Sequence, residues 1–124
     1  MKSNILAVLC LLVPSSAFAQ SMNAEQFYQR ASALQRKGVL ALFSGDLKKL
    51  MNEGKAAGAR ARDQRLAAIG AGRKPRYCPP EAAVSIESNE FMARLGAIPA
   101  ADRSRIDMTE ATIRILTAKF PCRA

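Results

Sequence analysis

Apolar residues recur at every third or fourth position along most of the chain, which is the periodicity of a helix with one buried face. In the first such segment this face consists of Phe27, Ala31 and Leu34. Asn23 and Gln26 have the spacing of a capping box at its start, and Gly38 follows it. We therefore predict a first helix between Asn23 and Gly38, with its apolar stripe packed in a core.

The same spacing continues after Gly38 and predicts a second, longer helical region. Its apolar positions are Val39, Leu40, Phe43, Leu47, Leu50 and Met51. The Ser-Gly-Asp triplet at 44–46 predicts a break and a restart within it. An Ala/Gly-rich stretch then runs to Gly72, and its small residues would let a neighbouring helix approach closely. The side that would meet this neighbour carries Leu47, Leu50, Gly54, Ala57 and Ala61. The signals that end the helix are Gly70, Gly72 and Pro75.

The second half of the chain repeats this pattern on a smaller scale. Ser85 or Ser88 is expected to cap a short helix that carries Phe91 and Leu95 and stops at Gly96. Pro99 suits the start of the last helical region, and Asp107 with Glu110 has capping spacing. The apolar stripe of that region is Met108, Ala111, Ile115 and Ala118, widened by Ile113, Leu116 and Phe120. Since no alternating stretch is longer than residues 83–86, we predict an all-α fold, a small bundle of four to five helices.

The N-terminal segment has the features of a secretory signal peptide. Lys2 precedes an apolar run at 5–13, and Ala17-Phe18-Ala19 fits an A-x-A cleavage site. The apolar run is too short for a membrane-spanning helix, which needs about 20 apolar residues. We therefore predict export to the periplasm with cleavage after Ala19, and no membrane span in the mature protein. Residues 20–124 would then form a single helical domain.

Cysteine usage agrees with an oxidising compartment. Cleavage removes Cys10 and leaves Cys78 and Cys122. An even cysteine count in a small exported domain predicts a disulfide, here between residues far apart in the chain. Pro121 should end the preceding helix where Cys122 must turn back, and Pro79 and Pro80 stiffen the other side.

Positive charge is concentrated in one part of the chain. The protein carries a formal net charge of +9, and residues 48–76 hold nine basic residues against Glu53 and Asp63. The candidate partner-binding residues are Lys48, Lys55 and Arg62, spaced by seven along one helix face, with Arg73, Lys74 and Arg76 in the following loop. A basic patch for an acidic partner protein or an anionic envelope polymer is one interpretation, and a solvated helix face is the other. Nucleic acid is not an expected partner, since interleaved aromatic residues and known motifs are missing.

The candidate catalytic chemistry is sparse. The chain has no histidine, which excludes histidine-dependent triads and most zinc sites. If both remaining cysteines are oxidised, no thiolate nucleophile is left. The carboxylate pairs Glu87 with Glu90 and Asp107 with Glu110 are explained as charges or caps at helix starts. We therefore expect a protein without enzymatic activity, metal or cofactor.

Residues 77–122 have a recognisable order of features. A cysteine followed by proline comes first, then a short helix, an apolar-proline step and an Ala-rich helix that ends in Phe-Pro-Cys. The positions concerned are Cys78-Pro79, Phe91, Leu95, Ile98-Pro99, Arg103, Ala111, Leu116 and Phe120-Pro121-Cys122. In this order the segment resembles the Rap/Tai immunity-protein family of the bacterial type VI secretion system, whose members are small, exported and helical.

The resemblance implies a binding function. Such proteins dimerise and plug the catalytic cleft of a peptidoglycan amidase effector, which would be the acidic partner of this chain. The loop at 73–76 is then the candidate contact, with a solvated loop as the alternative. The competing hypothesis is a resident periplasmic protein that uses its basic helix to bind anionic envelope material or to act as a chaperone.

Overall fold

The computed structural model describes residues 21–82 and 85–123 of the 124-residue chain. In these described residues there are five α-helices and one 3-10 helix. In chain order the elements are α1 (Ala24–Lys37), the 3-10 helix (Gly38–Phe43), α2 (Gly45–Gly70), α3 (Ser88–Ala97), α4 (Ala100–Arg103) and α5 (Met108–Lys119). Together with a disulfide between Cys78 and Cys122, they confirm the predicted small all-α bundle.

Some predicted features fall outside the described residues. The signal peptide at 1–19 is one of them, and Ala83 and Val84 of the alternating stretch are another. The remaining two residues of that stretch, Ser85 and Ile86, are not in a strand. Residues 21–82 and 85–123 contain no strand, and their only β-type pairing is an isolated bridge between Asn23 and Asp107. None of their helices is both long enough and apolar enough to cross a membrane.

The predicted caps of α1 and α5 are confirmed. The Asn23 side chain accepts a hydrogen bond from the Gln26 amide at 3.1 Å, and Asp107 accepts one from the Glu110 amide at 2.8 Å. Each cap satisfies one of the amides that a helix start leaves without an intrahelical partner. Ser44, in the predicted break, caps α2 in the same way through the Asp46 amide.

The starts of α1 and α5 are joined directly. The Ala24 amide donates to the Ile106 carbonyl at 3.0 Å, and the Met108 amide donates to the Met22 carbonyl at 2.7 Å. These two backbone bonds form the bridge between Asn23 and Asp107. The first and last long segments of the described chain are therefore held in register beside each other.

The core lies where α1, α2 and α3 surround the first two turns of α5. Leu95, Met108, Ile113 and Ile115 are its largest fully buried side chains. The small residues Ala57 and Ala61 of α2 are completely buried, and α2 makes its most extensive contacts with α5. The predicted close approach of a neighbouring helix is thus confirmed at these two positions.

The apolar residues that follow α1 do not continue its buried face. Val39 is 76% exposed, Leu40 66% and Phe43 88%, so the prediction that they pack in a core is wrong. Gly38 has a φ of 57°, which ends α1, and the next six residues form a 3-10 helix. A 3-10 helix has three residues per turn, which spreads consecutive apolar side chains around its axis. Only Ala41 in this segment is buried.

Three details of the second half also need correction. The residue that precedes α3 is Glu87, and no side chain caps that helix, so neither Ser85 nor Ser88 has the expected role. Gly96 does not stop α3, which continues to Ala97. A methyl group at Gly96 would lie 3.0 Å from the Tyr28 hydroxyl, so this glycine serves close packing with α1.

The third correction concerns α5. Ala118 is exposed, although it shares the predicted stripe. The buried residues of α5 all lie between 108 and 115, because only its first two turns have neighbouring helices on several sides. Pro99 does precede a helix as expected, but α4 is a single turn.

Arg103 is the main polar group in this core. It is 6% exposed, and its Nε donates to the Glu25 carboxylate at 2.5 Å. Its Nη1 donates to the carbonyls of Gly96 and Ile98, and its guanidinium lies 4.1 Å from the ring centre of Tyr28. Arg103 therefore ties the end of α3 to α1, and its role here is structural.

Candidate functional site

The disulfide fixes the loop that follows α2. Cys78 and Cys122 are 44 positions apart in the chain, with their Cα atoms 4.9 Å apart. The Cys78 amide also donates to the Phe120 carbonyl at 2.8 Å. The predicted pairing is confirmed, and it attaches the loop to the C-terminal end of α5.

The end of α2 shapes the start of this loop. The Gly72 amide donates to the Ile69 carbonyl at 3.0 Å, and the Arg73 amide donates to the Ala68 carbonyl at 2.8 Å. Gly72 has a φ of 70°, in the left-handed region that glycine adopts without strain. This is a Schellman-type ending, which turns the chain sharply and directs residues 73–76 back along α2.

Arg76 completes the attachment. Its two terminal nitrogens donate to both carboxylate oxygens of Glu110 on α5, at 2.6 and 2.8 Å. This bidentate pair is the main cause that lowers the pKa of Glu110, with Arg114 adding a second hydrogen bond. The same pairing raises the pKa of Arg76. Of the six predicted partner-binding residues, Arg76 is therefore already engaged within the fold.

The other five predicted residues are exposed. Lys48, Lys55 and Arg62 lie on one face of α2, and we call them the basic row. Arg73 and Lys74 project from the loop after α2. Within residues 21–82 and 85–123 none of the seven ion pairs involves these five side chains. Their charges are therefore uncompensated at this surface.

The loop and α2 enclose a small pocket, which we call the basic pocket. It has a volume of about 270 Å³ and is lined by Arg65, Arg73, Lys74 and Arg76 around Tyr77. Tyr77 is 4% exposed, and the Arg65 guanidinium lies 5.5 Å from its ring centre. Gln64 and three alanines of α2, together with Ile113 of α5, form the rest of the wall. No acidic residue of the described chain lines this pocket.

A larger cavity lies on the other side of Arg65 and Tyr77, and we call it the apolar groove. It is an open cleft of about 1340 Å³ between α2, residues 79–82 and 85–86, and α3. Its apolar lining includes Leu34, Leu47, Leu50, Ile86, Phe91 and Met92. Lys55, Arg62 and Arg65 stand on its α2 side, and Glu81 stands on the opposite side. Two residues of the basic row thus border an apolar surface.

Sequence reasoning found the cations but missed this groove. Leu42 and Met51 line it and are 72% and 53% exposed, although the pattern assigned Met51 to a buried stripe. One signal was present in the sequence. Residues 39–43 are five consecutive apolar residues, and such a run cannot place every side chain on one face of a helix. The run predicts apolar exposure, which marks interaction surfaces when it is contiguous.

Three of the four carboxylates in the candidate pairs, Glu90, Asp107 and Glu110, are engaged within the fold. Within the described residues no group of three or more carboxylate or cysteine side chains could hold a metal ion. The carboxylate pair Asp107 and Glu110 has a capping role and an ion-pair role, as described above. Glu90 forms ion pairs with Arg94 and Lys119, and hydrogen bonds from Lys119 first, then Arg94, lower its pKa.

Comparisons of the chain with protein-family models, with curated proteins and with solved structures find no match.

Proposed function

We propose that this chain is an exported binding protein that holds an acidic, amphipathic segment of a partner protein in its apolar groove. One observation carries this proposal. The groove has an apolar lining, and its α2 side carries Lys55, Arg62 and Arg65, which form no ion pair with the described residues. A partner that brings apolar side chains and carboxylates together would satisfy both parts of this surface.

The size of the groove favours a polypeptide segment over a small molecule. Pockets for small ligands usually have volumes of roughly 300–1,000 Å³ and enclose most of the ligand. The groove is larger, at about 1340 Å³, and open along its length. An amphipathic helix that lays its apolar face into such a groove is a recurring mode of peptide recognition. Met51 and Met92 add flexible, polarisable side chains that adapt to an incoming surface.

The charge of the chain supports an acidic partner. The formal net charge is +9. Among the cations without an ion pair, Lys55, Arg62 and Arg65 line the groove, and Arg73 and Lys74 lie in the adjoining loop. Charges at the rim of an interface act mainly on the rate of encounter, while the apolar contacts at its centre hold the complex together. The basic row would therefore attract the partner, and the groove would retain it.

The Rap/Tai resemblance gives this proposal a biological form. If the chain functions like the proteins that it resembles, its partner is a peptidoglycan amidase effector of a type VI secretion system. Binding would then occlude the catalytic cleft of this effector. A disulfide-bonded fold supports the predicted export, since disulfides persist in oxidising compartments such as the periplasm. The expected activity in solution is stoichiometric inhibition of such an amidase.

A second candidate function is supported by the exposed apolar side chains outside the groove. Val39, Leu40 and Phe43 project from the 3-10 helix and do not line the groove. A resident periplasmic chaperone would use such an apolar surface for many unfolded clients. The two functions differ in selectivity, because a chaperone surface would not distinguish one amphipathic helix from another of equal apolarity.

The test uses two synthetic helical peptides of about 15 residues, long enough to form a helix. Both carry leucine at the same positions of one face, and the flanking residues are glutamate in one peptide and lysine in the other. We expect the glutamate peptide to bind saturably in a calorimetric titration, and the lysine peptide to bind at least about tenfold more weakly. Equal affinities would support the chaperone instead.

A matched pair of variants locates the binding surface. Leu42 and Leu40 are both highly exposed, but only Leu42 lines the groove. Leu42→Glu should weaken binding of the glutamate peptide by at least about tenfold, since it places a charge in the apolar contact, and Leu40→Glu should not. If neither variant weakens binding, or if the glutamate peptide does not bind to the wild-type protein, the groove is not the docking site.

A further inference from the structure

The basic pocket is a separate feature from the apolar groove. The two share only Arg65 and Tyr77, and four of the ten residues that line the pocket are cations. Arg76 is neutralised by Glu110, but Arg65, Arg73 and Lys74 have no anionic partner among residues 21–82 and 85–123. Three uncompensated cations around a cavity of about 270 Å³ create a strongly positive local potential.

Arg65 also carries an unsatisfied donor. Its Nε atom is buried and has no hydrogen-bond partner in the described part of the chain. A buried donor without a partner costs free energy, typically about 1–3 kcal/mol. Such atoms are uncommon in folded proteins and call for an explanation. This atom is shielded from the pocket as well as from solvent. An oxyanion in the pocket would therefore compensate the charge of the guanidinium rather than pair with this nitrogen.

The walls of the pocket are fixed before any ligand arrives. The end of α2 sets the direction of the loop, while the Arg76–Glu110 pair and the nearby disulfide attach it to α5. The Thr117 hydroxyl adds a contact to the Arg76 carbonyl at 3.2 Å. Arg73 and Lys74 are therefore presented on a restrained backbone, which reduces the ordering that binding must impose.

We propose that the basic pocket is a binding site for a single oxyanion, a carboxylate or a phosphate group. Guanidinium groups bind both kinds of oxyanion, with two parallel hydrogen bonds when the geometry allows. The pocket, at about 270 Å³, has room for such a group. The pocket shares Arg65 and Tyr77 with the groove, but Arg73 and Lys74 line the pocket alone. Oxyanion binding through these two residues is therefore expected whether or not the groove holds a protein segment.

Tyr77 provides a direct signal for the test. The chain has no tryptophan and two tyrosines, Tyr28 and Tyr77. In a Tyr28→Phe variant, Tyr77 is therefore the only tyrosine left to report on the pocket. Phosphate, sulfate and acetate are titrated into this variant, with chloride at matched ionic strength as the reference. We expect phosphate and at least one other oxyanion to change Tyr77 emission saturably, beyond the effect of chloride, since the anion contacts Arg65 over the ring.

Matched variants separate a specific site from general attraction. Arg73→Gln with Lys74→Gln removes two charges from the pocket, and Lys48→Gln with Lys49→Gln removes two from the far end of α2. The first pair should weaken oxyanion binding at least about tenfold, and the second should leave it unchanged. Leu42→Glu in the groove should also leave it unchanged, so the failure of one site is distinguishable from the failure of the other.

The anions themselves distinguish the source of the ligand. Binding of phosphate at least about tenfold tighter than acetate assigns the site to a phosphoryl group, and comparable binding assigns it to a carboxylate of a protein or peptide. The proposal is overturned if no oxyanion acts beyond chloride. It is overturned as well if both double variants weaken binding equally, because net charge alone would then explain the effect.

Discussion

Arg103 illustrates what single residues do in this fold. Its guanidinium is shielded from solvent and joins Glu25, two carbonyls of the α3 region and the Tyr28 ring. The hydrogen bond from Arg103 is the first cause that lowers the pKa of Glu25, followed by one from Gln29. Arginine is rarely this well buried unless it is paired, so the pairing explains its place in the core.

Removal of this side chain should be costly. Arg103→Ala leaves two carbonyls and a carboxylate without their donor, and we expect it to lower the free energy of unfolding by about 3 kcal/mol. Arg105→Ala, two positions along and exposed, should change it by no more than about 0.5 kcal/mol. Chemical denaturation of both variants measures the difference. Two equally stable variants would show that the buried cluster contributes little.

A glycine substitution tests close packing between α1 and α3. A Cβ at Gly96 would lie 3.0 to 3.3 Å from the Tyr28 ring and hydroxyl, whose position is held by Arg103. Gly96→Ala should therefore destabilise the protein by about 1 kcal/mol. Gly54→Ala in α2 has open space around it and should stabilise by about 0.5–1 kcal/mol through helix propensity. The account of Gly96 fails if thermal unfolding shows both variants stabilised alike.

Single residues also show which features of the fold can be predicted from the sequence. The caps at Asn23, Ser44 and Asp107 were predictable because capping depends on neighbouring residues only. The burial of Arg103 and the packing of Gly96 were not, since each depends on a side chain about 70 positions away. Gly96 was therefore taken for a helix end when it is a contact point.

At the scale of elements, the attachment of the 73–78 loop to α5 depends on pH. The folded state lowers the pKa of Glu110 below its ordinary value of 4.5, chiefly through the hydrogen bonds from Arg76. Its contribution to stability is therefore fully present above that value. It is lost as the pH falls through the lowered pKa of the folded state, because protonation then removes the ion pair.

Unfolding experiments from about pH 6 to about pH 3 should show this loss. Glu110→Gln removes the titrating group, so the variant should lose less stability on acidification than the wild-type protein. Glu87→Gln is the control, because Glu87 is exposed and forms no ion pair with the described residues. Identical pH dependence in the wild-type protein and in Glu110→Gln would contradict the assignment.

The pattern of apolar residues predicted the helices correctly where a neighbouring element covers their apolar face, and incorrectly where no element covers it. The first helix, the small-residue side of α2 and the start of α5 agree with their stripes. The 3-10 helix does not, because periodicity shows which residues share a face but not whether another element covers that face. The apolar groove depends on the placement of residues 79–82 and 85–86 against α2, and no local pattern encodes that placement.

At the scale of the whole molecule, the disulfide is the largest single constraint on the unfolded chain. It links positions 44 apart, and the chain-entropy model gives a stabilisation of about 4 kcal/mol for a loop of this length. Replacement of both Cys78 and Cys122 by serine should lower the free energy of unfolding by about that amount in chemical denaturation. Reductant should have no further effect on the double variant. If the variant is as stable as the oxidised protein, the helical core alone determines the fold.

The basic pocket and the apolar groove share Arg65 and Tyr77, so the whole molecule presents a continuous surface of two chemistries along α2. The fold explains this arrangement. The buried side of α2 packs on α5 through Ala57 and Ala61. This leaves the opposite side of α2, which carries the basic row, exposed. In the function that we propose, the cations beside the groove attract an acidic partner segment into it.

The rate of association of the glutamate peptide with two double charge reversals tests this claim most directly. Lys55→Glu with Arg62→Glu reverses the charges beside the groove. Lys49→Glu with Arg105→Glu changes the net charge equally at two exposed positions outside both the groove lining and the basic row. At low salt we expect the first pair to slow association by at least about tenfold and the second pair to slow it much less. The difference should nearly vanish at about 1 M salt, where the Debye length is about 3 Å. Equal slowing by both pairs, or no slowing by either, would contradict the claim.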